Sequence, residues 1–182
     1  MNTVFTIGHS TRAADELVAL LRRNGVTLLV DVRRYPGSRR HPQFNREALA
    51  VTLADAGIAY RHEPDMGGRR EGEAGAGSPN EGWRNASFRA YADHLGSAAF
   101  LAAVERLEAD AARGPVAIMC AEAVPWRCHR QLISDALVGR GRDVRHIISE
   151  AEPAPHALNP MARVAGGRVT YPAPEPEQPE LF

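Results

Sequence analysis

The sequence predicts an α/β fold in three layers, a mostly parallel sheet of about five strands flanked by helices, with a C-terminal hairpin or extended tail. Three observations carry this. Short, continuously apolar runs alternate with amphipathic segments of helical period, as buried parallel strands and their covering helices do. The runs are separated by glycine, proline or helix-capping residues. At 182 residues the chain is long enough for one core and short enough for one domain.

Each element follows in order. VFTIGH (4–9) reads as a buried strand, and in STRAADELVALLRRNG Ser10 or Thr11 is placed to cap a helix whose apolar face is Leu17, Leu20 and Leu21, ending at Gly25. TLLVDVR (27–33) is a second strand, and Asn45 caps the helical REALAVTLADAG. IAYRHE (58–63) is a third strand, followed by a loop over 64–85 with six glycines and two prolines. Helical patterns resume at 86–95 and 97–112. PVAIMC (115–120) is a fourth strand, CHRQLISDALVGRG a helix, and DVRHIIS (143–149) a fifth strand. These assign 1–150 to an α/β domain and 151–171 to an extension in which ARVAGGRVTYP turns on Gly166-Gly167. Residues 172–182 form a solvated, Pro/Glu-rich tail.

Composition narrows the class. The 22 basic residues are all arginine and balance 22 acidic ones. A GC-rich genome accounts for the absence of lysine; selection for bidentate recognition of phosphate or carboxylate is the functional alternative. The neutrality hides a polarity: RRYPGSRRHPQFNR (33–46) holds five arginines and no acid, whereas 150–182 holds five glutamates against two arginines. No stretch reaches the ~20 apolar residues of a membrane span, and no basic-then-apolar leader opens the chain. Two cysteines make no disulfide framework, so the expectation is a cytoplasmic protein without a membrane segment.

Ligands of open parallel sheets bind beyond the carboxyl ends of the strands. Those ends carry His9, Asp31 with Arg33, His62 with Glu63, and Cys120 with Glu122. Asp31 sits within an apolar strand and calls for an arginine partner, either as a buried strut or as an orienting carboxylate. Pro36-Gly37 and Pro42 shape the loop carrying Arg39 and Arg40, which suits phosphates, while Tyr35 and Phe44 serve as base-stacking platforms or as core anchors. In MGGRR, Arg69 adds a further basic position, at the edge of a lid or a disordered loop.

CAEAVPWRCHR (120–130) contains both cysteines. Seven intervening residues are too many for common structural zinc spacings, so no metal is assigned. An oxyanion-wrapping loop after Cys120, of phosphatase or rhodanese type, would want glycines, and Pro125 has no amide hydrogen to give. Cys128 lies near a helix N-terminus between Arg127 and Arg130, where a thiol pKa falls, with His129 as a base; its plain alternative is a buried hydrophobe. A polar network of Glu122, Arg127, His129 and Arg130, with the thiols as lining, asks least of the sequence.

TIGHST, LLVDVRRYPGSRRHPQFN, MGGRR, GWRNASFRAYADH and CAEAVPWRCHRQLISDAL together resemble the family called domain of unknown function 488, over residues 3 to 149. The resemblance implies a single α/β domain and motif positions at His9, Asp31, Arg33, Arg39, Cys120, Glu122, Cys128, His129 and Arg130. It brings no reaction and no cofactor.

The chain ends QPELF, which resembles the short peptides by which bacterial replication and repair proteins hold the sliding clamp. Gln178 would bond at the pocket rim while Leu181 and Phe182 fill it. The functional expectation is a protein that binds or processes nucleic acid or nucleotides in DNA maintenance. Arg33, Arg39, Arg40, Arg69 and Arg130 would engage phosphate; His9, Asp31, Glu122, Cys120, Cys128 and His129 are the catalytic candidates. The alternatives are a cysteine-dependent enzyme or redox sensor using Cys128 or Cys120, and a non-catalytic clamp adaptor.

Overall fold

A computed structural model describes residues 3–68, 70 and 77–174. The strands are β1 Val4–Gly8, β2 Leu28–Asp31, β3 Ala59–His62, β4 Val116–Cys120, β5 Val144–Ile147 and β6 Ala154–Pro155. They form one sheet in the order β3-β2-β4-β1-β5-β6, parallel throughout except for β6 on β5. The helices are α1 Ala14–Arg23, α2 Arg46–Asp55, α3 Ala86–His94, α4 Ala98–Arg113 and α5 Arg130–Gly139. A separate antiparallel pair, β7 Arg163–Ala165 and β8 Arg168–Thr170, turns on Gly166-Gly167, both at positive φ as a tight hairpin requires.

Strand alternation sorts the core into two. Ile7, Leu29, Ala117 and Met119 face α1 and α2, through Leu17, Leu21, Leu49 and Leu53. Val4, Val30, Val116 and Ile118 face α3, α4 and α5, through Tyr91, Phe100, Leu107 and Leu132. The result is the three-layer sandwich the periodicity predicts. The sheet has six strands rather than about five, because β6 is a two-residue edge pairing that includes a proline, too short to leave a pattern. Neighbouring strands β1 and β4 send their following helices, α1 and α5, to opposite faces, so a crevice opens at their carboxyl ends.

Two caps differ from expectation. Helix α1 begins at Ala14 behind Ala13, which offers no side-chain cap; Ser10 instead adopts φ +48° at the turn leaving β1. Asn45 occupies the N-cap position of α2, but its Oδ1 accepts from the Ser38 amide at 2.6 Å and so braces the arginine loop rather than the helix. Three strand-to-helix connections contain a 3₁₀ turn opened by proline, at Pro42, Pro64 and Pro125. Among the described residues no helix is long and apolar enough to cross a membrane.

Candidate functional site: a thiol pair in the strand-end crevice

Gly8 at the end of β1 stands in register with Cys120 at the end of β4, and the pairing continues past both strands through His9 N–H to the Cys120 carbonyl. A Cβ on Gly8 would lie 1.8 Å from the Glu122 carbonyl oxygen, so only glycine lets the loop after β4 fold back over β1. That loop returns through the Pro125 turn to place Cys128 against Cys120. The two are free thiols, 2% and 5% exposed, with sulfurs 2.6 Å apart.

Arg130 organises the pair from behind. It is 1% exposed, and its Nε donates to Cys120 Sγ at 3.0 Å, NH1 to Thr6 Oγ1 at 3.4 Å, and NH2 to the Glu122 carbonyl. A guanidinium stays charged when buried. Among the described residues no carboxylate forms an ion pair with it; its side chain reaches Cys120 and its backbone amide reaches Cys128, so the thiol pair is where negative charge meets it. The Arg130 amide points at Cys128 Sγ, at 3.5 Å.

His129 completes the cluster. Its Nε2 lies 2.9 Å from the Val32 carbonyl, which can only accept, so Nε2 carries hydrogen and Nδ1 faces Cys128 Sγ at 3.5 Å. The ring is wedged between Tyr91, centroids 5.2 Å apart, and Gly68, where a Cβ would strike Nδ1 at 2.8 Å. This accounts for Gly68 of MGG, whereas a Cβ on Gly67 would lie 2.9 Å from Arg34 Cα and from the Pro64 carbonyl oxygen; the Tyr91 hydroxyl donates to the Met66 carbonyl and holds that loop down.

The two thiols differ in charge. Burial raises both, but in Cys128 the Cys120 hydrogen bond, then His129 and Arg130, outweigh it and carry the thiol well below its usual range. Burial holds Cys120 well above that range, reinforced by the hydrogen bond and charge of Cys128. The contact couples the two thiols, and Cys128 is the one drawn toward thiolate.

The crevice is a cavity of about 790 Å³. Cys120, Cys128 and His129 line it, together with His9, Glu122 and Arg40 from the predicted set, and with Arg127, His41 and Tyr35. Glu122, Arg40 and Arg127 are exposed, and Tyr35 is 68% exposed. Other candidates lie elsewhere. Asp31 is fully buried, accepting from Arg33 Nε at 2.9 Å, Arg33 NH2 at 2.6 Å, the Arg33 amide at 3.1 Å and Tyr60 OH at 2.7 Å: the strut alternative in geometry. Arg33 reaches the cavity wall but also donates to the Phe44 carbonyl and to His9 Nε2, and Arg130 is committed to the thiols, so neither guanidinium is free for phosphate. Arg39 is exposed and outside the cavity lining. His62 bonds the Arg33 carbonyl, and Glu63 is held by Arg106 at 2.9 Å. Phe44 is a core anchor stacked on His9, 4.4 Å between centroids. Arg69, Gln178, Leu181 and Phe182 lie outside the described residues.

His9 is no free base. Nδ1 donates to the Ser10 carbonyl at 3.0 Å, Nε2 accepts from Arg33, and burial first, then Arg33, brings its pKa down to about 4. It is a neutral wall.

The ligand atoms of Cys120, Cys128 and His129 lie within 4.8 Å of one another, close enough to share a metal ion. A dication there would sit beside the buried Arg130 guanidinium that already bonds Cys120, an electrostatic conflict the thiolate does not have. The donor set fits a thiol site better than a metal centre.

Behind Arg130 runs a chain of buried polar groups that the sequence reading missed. Thr6 Oγ1, which accepts from Arg130, donates to His146 Nδ1 at 2.7 Å, and His146 Nε2 donates to His156 Nδ1 at 2.9 Å. His156 Nε2 donates to Asp135 Oδ1 at 2.9 Å, while Tyr171 OH donates to Oδ2 at 2.7 Å. Every tautomer follows from Asp135 accepting at one end and Arg130 donating at the other. Asp135 inside LISDALV and His146 inside VRHII, polar residues on apolar elements, were the available signals.

This is an α/β protein with a paired-thiol site at its topological switch point. Residues 13–137 match the model of the family described as Domain of unknown function DUF488, and the chain belongs to that family. No curated protein and no solved structure matches it.

Proposed function

We propose that this protein is a cysteine-dependent enzyme whose Cys128 thiolate attacks an anionic substrate of nucleotide size. The observation that carries this is the Cys128 sulfur at the cavity wall, flanked by His129 Nδ1 and the Arg130 amide. In covalent catalysis the thiolate attacks, and a positioned base manages its proton. Here His129, oriented by the Val32 carbonyl, takes the second role. Arg40 and Arg127, with Tyr35 as a stacking surface, suit a phosphate-bearing substrate, either a nucleotide or an end of nucleic acid. Two free thiols kept reduced suit the cytoplasm.

Alkylation by iodoacetamide tests the nucleophile. Cys128 is expected to label at pH 6 roughly tenfold or more faster than an unperturbed cysteine, and Cys128→Ser to abolish that labelling. A labelling profile that rises only above pH 8.5 would sink the proposal. A nucleoside monophosphate should slow the reaction in the native chain but not in Arg40→Gln/Arg127→Gln. An oligonucleotide that protects better, with steep salt dependence, would assign nucleic acid instead of free nucleotide.

QPELF supports a second, independent element of the proposal, delivery to DNA by the sliding clamp. Removing residues 178–182 should abolish binding to purified clamp in a pull-down; unchanged binding would remove the clamp from the account.

A further inference from the structure

The mechanism above uses one thiol, yet the site holds two in contact. Cys120 is not placed as a general acid for substrate, because its sulfur is in contact with Cys128 at 2.6 Å and accepts from Arg130 Nε. It is fixed on β4, and the loop carrying Cys128 is held by the Arg130 bond to the Glu122 carbonyl and packs on β1 at Gly8. This is the arrangement of an attacking thiol and a resolving thiol, with only the attacker drawn toward ionisation.

We propose that Cys120 and Cys128 form a working dithiol–disulfide couple, oxidised by a hydroperoxide that enters the crevice and reset by a small thiol. The inference rests on the reading of Cys128 as a reactive thiolate and adds to it a redox reaction and a role for Cys120. In the first step Cys128 sulfur attacks the terminal peroxide oxygen. An S–O bond forms, the O–O bond breaks, and the departing alkoxide takes a proton, leaving Cys128 as a sulfenic acid. Cys120 sulfur then attacks Cys128 sulfur. The S–S bond forms, the S–O bond breaks, and the hydroxide leaves as water with the Cys120 proton. The two thiols lose two electrons, and the peroxide gains them, giving one alcohol and one water. Arg130 Nε, 3.0 Å from Cys120 Sγ, stabilises the second thiolate as it forms. Two molecules of the small thiol return both cysteines to the reduced state and leave as their own disulfide.

The test treats the full chain with one equivalent of hydrogen peroxide and reads intact mass and free thiols under denaturing conditions. The expected product is a monomer two hydrogens lighter with both thiols gone, restored by glutathione. Cys120→Ser is expected to stop at a Cys128 sulfenic acid, trapped by dimedone as a one-to-one adduct. In Cys128→Ser, Cys120 should stay reduced over the same time. Circular dichroism of each variant confirms that it is folded. Oxidation of wild type that stops at a sulfenic or sulfinic acid with Cys120 still free, or bridges that join two chains, would overturn the proposal. Fast alkylation of Cys128 with no internal bridge leaves the enzyme reading standing and removes this one. A bridge without fast alkylation would overturn both, because the peroxide step as written needs the Cys128 thiolate.

Discussion

Replacing Asp31 by alanine should lower the stability of this protein by about 3–5 kcal/mol, the cost of leaving a buried partner charge uncompensated. Four donors converge on its two oxygens: the Arg33 amide, Arg33 Nε and NH2, and Tyr60 OH. Arg33 is 7% exposed, so its charge cannot turn out into water without unpacking His9 and Phe44. Urea unfolding of Asp31→Ala should show a lower midpoint with an unchanged slope. The double variant Asp31→Ala/Arg33→Met should recover part of the loss, because an apolar replacement of both partners removes the stranded charge as well. A single-variant cost below about 1 kcal/mol would show that the strut is a solvated pair in practice. Such a change should also slacken the loop that supplies Arg40 and His41 to the cavity.

Acid should unfold the protein earlier than its carboxylates alone would. Burial is the main cause that brings His9 and His146 down to about 4, helped in His9 by Arg33 and in His146 by His156 and Arg130. Unfolded histidine titrates near 6.5. Between pH 6.5 and 4 the unfolded chain therefore binds protons that the folded chain refuses, and stability falls as pH falls across that window. Both residues are nearly inaccessible, at 3% and 8%. Each histidine contributes roughly 2 kcal/mol to the loss. Burial lowers His94 too, in the same sense. The lowered carboxyls, Glu108 held by Arg140 and Asp143 held by Thr3, lose their contribution only below the ordinary carboxylate range, so the two effects separate. Urea titrations at pH 7, 6, 5 and 4.5, with Cys128→Ser to remove the thiol's own proton, should give a slope of about two protons. His146→Gln should flatten it by about one. A stability profile level down to pH 5 would count against both rings being neutral.

The layers and most strand and helix positions were legible because they depend on periodicity, which a single sequence displays. The strand-end rule also named His9, Cys120 and Glu122, which share one cavity with Cys128 and His129 from the CAEAVPWRCHR stretch. What the rule could not give was direction. Asp31, His62 and Glu63 also stand at strand ends, yet their side chains serve Arg33, the Arg33 carbonyl and Arg106. The cap at Ser10 was misplaced, and Asn45 stands at the expected N-cap without bonding the helix, because short polar side chains have rival backbone partners, and here the loops won. Contact between the thiols was illegible for a different reason. Seven residues can loop in many ways, and the chosen path depends on Pro125 and on a glycine more than a hundred positions earlier.

The chain of bonds from Arg130 to Asp135 has a consequence for where this protein can be cut. Family recognition spans residues 13–137, but Thr6 precedes that span and His146, His156 and Tyr171 follow it. A fragment trimmed to the recognised span would keep both cysteines, Arg130 and Asp135. It would lose the central strand β1 and every link that joins the buried cation to the buried anion. The thiol site is thus held together by segments outside the stretch that identifies it, from Thr6 at one end to Tyr171 at the other.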